Sequence, residues 1–295
     1  MTRFTRLPSS ALRLSGPDRL DFAQGQLTGH VKELPVPGMT PACFLNVRGQ
    51  IEHFARVYRR EHDLYLHLGA GEAGPLAARL RRYIIFDQVD VEDVSELLGS
   101  LHLWDEELPG WNPAGPDAQS FELGGGSVLV ARVGRTGKPG LDLHFLRAHE
   151  AGLLSALGVQ ELSFAELEGA RLRAGLPDAA QDGWAGFLPQ EVGLGGAVHP
   201  RKGCYVGQEI MARLEARGSV RYGLRSLRSQ GTGDIPAHTD VTLDGRPVGR
   251  TGASLGSLAL ARLRLDLPAG TPLQVGGTWV LTPAARQPGD AQPTP

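Results

Sequence analysis

The sequence predicts an α+β protein that ends in a small all-β barrel. Helical and strand-like periodicities alternate irregularly up to residue 174, and a glycine-rich stretch without sustained periodicity follows to about residue 219. Evenly spaced short strands fill the remainder. Length agrees, because 295 residues at roughly 150 per domain give a prior of about two domains.

Ala11–Leu14 reads as a short strand and Pro17–Leu27 as a helix with proline at an early position. Ala42–Val47 and Ile51–Arg60 are β-rich runs separated by Arg48-Gly49-Gln50, the pattern of a hairpin. Asp63–Leu68 alternates as a third strand, and Ala73–Tyr83 sets Leu76, Leu80 and Tyr83 at helical spacing. Arg79, Arg81 and Arg82 at the end of that helix read as a solvated basic face. Val89–Val94, Leu101–Trp104, Ser127–Val133 and Leu141–Phe145 are further strands, the last two joined by a turn at Gly134–Gly140. Leu108–Asp117 is a Pro/Gly/Trp loop. Arg147–Leu157 and Phe164–Ala174 read as helices, the second closed by Gly175 and Pro177.

The next segment, to about Ser219, reads as largely irregular, yet it is too apolar for a linker. Six short strands then follow: Tyr222–Arg228, Thr239–Leu243, Pro247–Ala253, Ser257–Arg264, Pro272–Val275 and Trp279–Thr282. The expected domains are therefore 1–220 and a barrel at 221–283. The polar, proline-rich tail 284–295 is expected to be disordered.

Composition excludes several classes. The formal charge of −2 gives no electrostatic reason for nucleic-acid or anionic-membrane binding. No stretch reaches the roughly 18 apolar residues of a membrane span, and the first residues form no signal-like apolar run. A cytoplasmic location is the expectation. The only cysteines, Cys43 and Cys204, cannot supply the usual four thiolates of a cluster or zinc site, so cluster chemistry would involve another molecule. The histidines are scattered without metal-binding spacing, and neither a phosphate loop nor a nucleophile elbow occurs.

The most informative string is Lys202-Gly203-Cys204-Tyr205-Val206-Gly207-Gln208-Glu209. Two glycines permit tight backbone geometry around a thiol. Arg201 and Lys202 stand beside it, and Arg213 follows if the chain turns helical at Gln208. Nearby cations favour the reactive thiolate. Gln208 and Glu209 offer hydrogen-bonding groups to a ligand or to the loop itself. Residue types alone leave two readings open, a buried structural cysteine in a turn and a reactive thiol. Cys43, in an apolar run with no cation before Arg48, is expected to be buried and inert.

This string resembles K-G-C-[F/Y]-x-G-Q-E, the signature of the YgfZ family, folate-binding relatives of the glycine-cleavage T-protein (aminomethyltransferase). At roughly one in twenty per position, agreement at seven specified positions by accident is remote. The resemblance extends along most of the chain, from Asp18–Phe22 and Gln26-Leu27-Thr28, through Gly49 to Val57-Tyr58. It continues at Arg171–Pro177, at Leu188-Pro189-Gln190-Glu191, and at Val248-Gly249 and Ala259-Leu260-Ala261.

The resemblance implies ring-like, folate-binding T-protein-type lobes around a central hole for tetrahydrofolate, with the barrel attached. It implies Glu191 as the pterin anchor, a role a carboxylate can fill by accepting two parallel N–H bonds. Tyr205, Trp184 and Phe187 are candidates to stack on the pterin, and Gln208, Glu209 and Arg213 join the expected folate-binding set. Cys204 is the expected reactive thiol, with Lys202 assisting it. The implied role is synthesis or repair of iron–sulfur clusters in client enzymes, with iron–sulfur client or assembly proteins as partners. The alternative is a folate-dependent aminomethyl transferase. One departure counts against it, because Phe54 occupies the position of the T-protein's catalytic Asp and a phenyl ring accepts no proton.

Overall fold

A computed structural model of the protein describes residues 2–158 and 160–283. The expected disordered tail lies outside the described residues. The chain runs through β1 (Arg3–Arg6), β2 (Ser9–Ser15), α1 (Arg19–Gln26), β3 (Gly38–Leu45), β4 (Ile51–Arg59), β5 (Leu64–Gly69), α2 (Ala73–Arg81) and β6 (Asp90–Asp93). It continues through β7 (Leu98–Leu103), β8 (Ala118–Leu123), β9 (Gly126–Arg132), β10 (Leu141–Leu146), α3 (Glu150–Leu157), β11 (Gln160–Glu161) and α4 (Phe164–Ala174). After α5 (Gln208–Arg217) come β12 (Tyr222–Arg228), β13 (Asp240–Leu243), β14 (Arg246–Leu255), β15 (Leu258–Arg264), β16 (Pro272–Val275) and β17 (Thr278–Leu281).

Three sheets result, ordered β3-β4-β5-β2-β6, β11-β1-β7-β10-β9-β8 and β12-β15-β14-β13-β16-β17. Every pairing is antiparallel except β1 with β11. Strand alternation explains how the first two sheets sit. In β4 and β5, Ala55, Val57, Leu64, Leu66 and Leu68 face a core shared with Leu76, Ala77 and Leu80 of α2. In β7 and β10, Leu101, Leu103, Leu141, Leu143 and Phe145 face a second core closed by Leu153 of α3. Each leucine buried this way contributes about 1.5–3 kcal/mol.

The opposite faces of these strands are the surprise. A polar face normally marks solvent, but here the two sheets meet on it. Tyr58 and Tyr65 from one sheet pack with Ala118, Leu129 and Ala131 from the other. His144 of β10 lies within hydrogen-bond distance of Tyr58 Oη (2.8 Å) and Ser100 Oγ (2.8 Å). Asp142 accepts from Arg135 Nη2 at 2.7 Å and pairs with His102 Nδ1 at 2.9 Å. Burial opposes ionisation of Asp142, but Arg135 and His102 outweigh it and hold the carboxyl well below its ordinary range. Burial, reinforced by Arg135, Arg56 and Arg60 and opposed by Asp142, pushes the His144 imidazole down to about 3, so it is neutral at physiological pH.

Two expectations are corrected here. The basic face at the end of α2 is solvated only in part. Arg79 is buried and donates to Glu52, Gln26 and the Leu45 carbonyl. The segment before the barrel is not irregular throughout, because Gln208–Arg217 forms α5. Gly207, at φ 86°, supplies the left-handed turn that lets this helix start.

In the third sheet the edge strands approach one another, with a bridge between Ser229 and Val280. This sheet is fastened to the rest by Asp182. Its carboxylate is 1% exposed and accepts from Arg171 Nη1 and Nη2 (both 3.0 Å), Trp184 Nε1 (3.1 Å) and Asp178 N (2.8 Å). It also accepts from the Ala253 N–H of β14 at 3.1 Å. Removing the carboxylate leaves Arg171 with Glu168 as its one countercharge among the described residues and orphans the N–H donors of Trp184 and Ala253, a loss of about 3–5 kcal/mol. Asp182→Ala should lower stability by that amount in urea unfolding, and an unchanged midpoint and slope would refute the role.

Candidate functional site

The sequence-derived candidates fall into two groups that share an apolar cluster holding Tyr205, Phe187 and Val192. The first surrounds Cys204, in the loop between the last 3-10 turn and α5. Lys202, 5% exposed, donates its amine to the carbonyls of Gln24 and Leu27, at the C-terminal end of α1. The backbone is held as well, since Gln24 Nε2 donates to the Lys202 carbonyl at 2.7 Å and Val206 N to Gly25 O at 3.3 Å. Helix α1 ends in unsatisfied carbonyls, and a cation or amine there meets the negative end of the helix dipole. The Lys202 amine also sits 4.9 Å from the centre of the Tyr205 ring.

The contacts of Lys202 give it a holding role in the loop. Its amine makes no hydrogen bond to Cys204 and holds the loop to α1 instead. Burial pushes its pKa down to about 7, and a neutral amine still has two N–H donors for the two carbonyls. Cys204 itself is exposed, whereas Cys43 is fully buried and pushed up to about 12 by burial. Tyr205 is half-buried, and burial raises its phenol to about 12. Glu209 and Arg213 pair with each other on the exposed face of α5. Gln208, at the first turn, is half-buried.

The second group lies where the N-terminal part meets the barrel. Glu191, 7% exposed, sits in a short 3-10 turn, Pro189–Val192, that proline opens. Its Oε2 accepts from Arg262 Nε of β15 at 2.8 Å and lies 2.8 Å from Nη2 in the same ion pair, and neither contact uses Oε1. The guanidinium lies 3.5 Å from the centre of the Tyr222 ring and 4.7 Å from that of Phe187. Trp184 is fully buried and bonded to Asp182, so it belongs to the core and is no stacking platform.

The cleft between the first two lobes and residues 178–185 is lined by Phe54, Arg56, His67 and Asp178, among others. Neither Glu191 nor Cys204 lines it. Sequence reasoning missed Arg56 and His67. The usable signal was a strand face carrying Phe54, Arg56, Tyr58, Tyr65 and His67, aromatic and basic together, where a solvated face would carry short polar residues.

Two measurements follow from this geometry. At pH 8, a thiol with a pKa of about 12 is ionised in only about one molecule in ten thousand. Brief iodoacetamide treatment of the folded protein should therefore label Cys204 at least about a hundredfold faster than Cys43. Peptide mass mapping reads the ratio, and first labelling at Cys43 would contradict it.

The second concerns Lys202. The unfolded lysine keeps its proton to about 10.4, whereas the folded one releases it near 7. Between those values the unfolded chain binds more protons, so this group makes stability rise with pH. Thermal midpoints from pH 6 to pH 9 should show this rise in the parent and a flatter profile in Lys202→Met; parallel profiles would exclude it.

The chain is similar to several known proteins. Residues 223–287 match the CAF17 C-terminal β-barrel domain. The mitochondrial iron-sulfur cluster assembly factor IBA57 of Homo sapiens is 30% identical over 275 residues, covering 85% of this chain and 74% of that protein. The tRNA-modifying protein YgfZ of Serratia proteamaculans is 29% identical over 286 residues, covering 89% of this chain and 84% of its own. The glycine cleavage system aminomethyltransferase T of Bartonella henselae superposes with a TM-score of 0.79 over 96% of this chain and 85% of its own, at 18% identity. That last likeness is one of fold. With its signature loop clamped to α1 and its barrel joined through Glu191, the chain belongs to the YgfZ/IBA57 family, built on the aminomethyltransferase T fold.

Proposed function

We propose that this protein binds a reduced folate, tetrahydrofolate, and supports assembly or repair of iron–sulfur clusters in client enzymes through the Cys204 thiol. The observation that carries the reading is an exposed thiol on a loop fixed at both ends, in a chain related to a named cluster assembly factor. Among the described residues no three His, Cys, Asp or Glu side chains are grouped to hold a metal ion. Cys204 therefore contributes one ligand or one nucleophile, and iron–sulfur client or assembly proteins supply the rest. No helix among the described residues is long and apolar enough to cross a membrane. A reducing compartment such as the cytoplasm suits an exposed free thiol.

For the folate, the test of fit is Glu191. It has an oxygen that Arg262 does not use, while Arg262 itself stacks on Tyr222 and Phe187, and a free carboxylate oxygen suits the hydrogen-bonding edge of a pterin. Bound folate would supply a carrier for a one-carbon unit. The transferase alternative is weaker because Phe54 presents a phenyl ring to the cleft.

Calorimetry and complementation test the two halves together. Cys204→Ala should bind tetrahydrofolate like the parent yet fail to restore cluster-enzyme activity in a deletion strain. Glu191→Ala should lose about 2–5 kcal/mol of folate affinity, as when one partner of a buried charged hydrogen bond is truncated. Full complementation by Cys204→Ala would sink the thiol reading, and unchanged affinity in Glu191→Ala would sink the anchor.

A further inference from the structure

Arg56 of β4 and His67 of β5 are direct cross-strand partners, so their side chains stand side by side on one face of the sheet. Both line the cleft described above. The carboxylates on the cleft wall are already engaged. Glu52 pairs with Arg79, Glu72 pairs with His53, and Asp178 accepts from the N–H groups of Ala180 and Gln181.

Arg56, in contrast, makes no ion pair or hydrogen bond with any described residue, and its Nε is buried without a partner. Its neighbour on the same strand face is the Phe54 ring, 5.7 Å from the guanidinium carbon, which offers no countercharge. His67 is 6% exposed, and its Nε2 is also buried without a partner. Burial and the nearby Arg135 work against the Arg56 charge, and Asp142 and Asp178, neither in contact with it, offset them only in part. Buried polar groups are almost always satisfied, and a buried charge without a partner is expensive to keep. An unsatisfied guanidinium N–H beside an unsatisfied imidazole nitrogen, which is a donor in the Nε2–H tautomer, leaves this corner of the cleft with hydrogen-bonding capacity that the protein does not use.

We propose that Arg56 and His67 form an oxyanion site that takes the carboxylate of a small ligand, with Phe54 as the apolar wall beside it. The planar guanidinium fork matches two carboxylate oxygens, and the His67 Nε2–H supplies a further donor. Two sources share this chemistry, the glutamate tail of a folate and a free small carboxylate. Only the first rests on the folate reading above.

The test uses the full chain and four probes. Thermal midpoints are read in chloride, then with sodium formate or phosphate at matched ionic strength. Calorimetry is run anaerobically with tetrahydrofolate and with 6-methyltetrahydropterin, which has no carboxylate. Because Arg56 has no protein partner to strand, Arg56→Met should melt no lower than the parent in chloride. The same variant should lose at least about tenfold in tetrahydrofolate affinity while keeping that for the pterin, which identifies the tail. Alternatively it should lose the formate or phosphate stabilisation seen in the parent, which identifies a free anion. Arg56→Lys should retain part of either response, and His67→Phe should weaken it, so the question stays decidable if Arg56→Met fails to fold.

The proposal is overturned if the parent shows neither anion stabilisation nor a tail-dependent affinity. It is also overturned if Arg56→Met and His67→Phe both respond to every probe as the parent does. A parent that binds neither pterin nor tetrahydrofolate refutes the folate reading instead, and the formate and phosphate measurements still decide the anion site.

Discussion

The Asp182 carboxylate gathers donors from three parts of the chain that would otherwise be free to part. Arg171 comes from α4, Asp178 and Trp184 from the segment after it, and Ala253 from a barrel strand. Burying that carboxylate is costly unless every lone pair is used, and here the geometry is close to saturating it. The same segment then runs on to Glu191, whose bond to Arg262 makes a second crossing to the barrel. The residues that line the cleft at 178–181 and those that face Phe187 and Tyr222 thus take their places from one buried anion and its donors.

A second buried polar system sits between the first two sheets. Asp142 and His144 are satisfied by Tyr58, Ser100, Arg135 and His102, and His102 Nε2 alone of this inner group is buried without a partner. The other exceptions lie at its cleft edge, where Arg56 and His67 have no protein partner. The interface therefore grades from a closed network, which fixes how the lobes meet, to an open edge that has donors to spare. The closed part fixes the lobes together, and the anion site proposed above lies at the open edge.

Much of the fold was legible because local rules and tertiary context agree. Phe164–Ala174 appears as read, with Ser163 and Glu166 forming a capping box and Gly175 a left-handed cap. Tyr222–Arg228 and Pro272–Val275 also appear with the expected bounds. Strands β1, β8 and β11 were not read. β1 and β11 are short, and β8 carries Gln119, Ser120 and Glu122 among its few apolar residues. Helix α5 was missed as an element because glycines before it mask its start. The thiol of the candidate site was legible from a motif, but Lys202's actual partners were not. Those carbonyls lie 175 and 178 residues away in sequence, and nothing local encodes such a contact. The polar lining between the sheets was hidden for a related reason, since period-two alternation specifies a face but not what covers it.

The loop that carries Cys204 is pinned at both ends. Lys202 fastens one end to α1, and at the other Gly207 packs so closely that a Cβ there would lie 2.7 Å from the Asn46 carbonyl oxygen. Four residues span the interval, too few to swing the thiol far from where the scaffold sets it. An incoming protein or sulfur-bearing group thus meets a thiol whose ordering entropy was spent when the chain folded. On the function proposed above, a client that reaches this thiol leaves little further ordering to be done at contact.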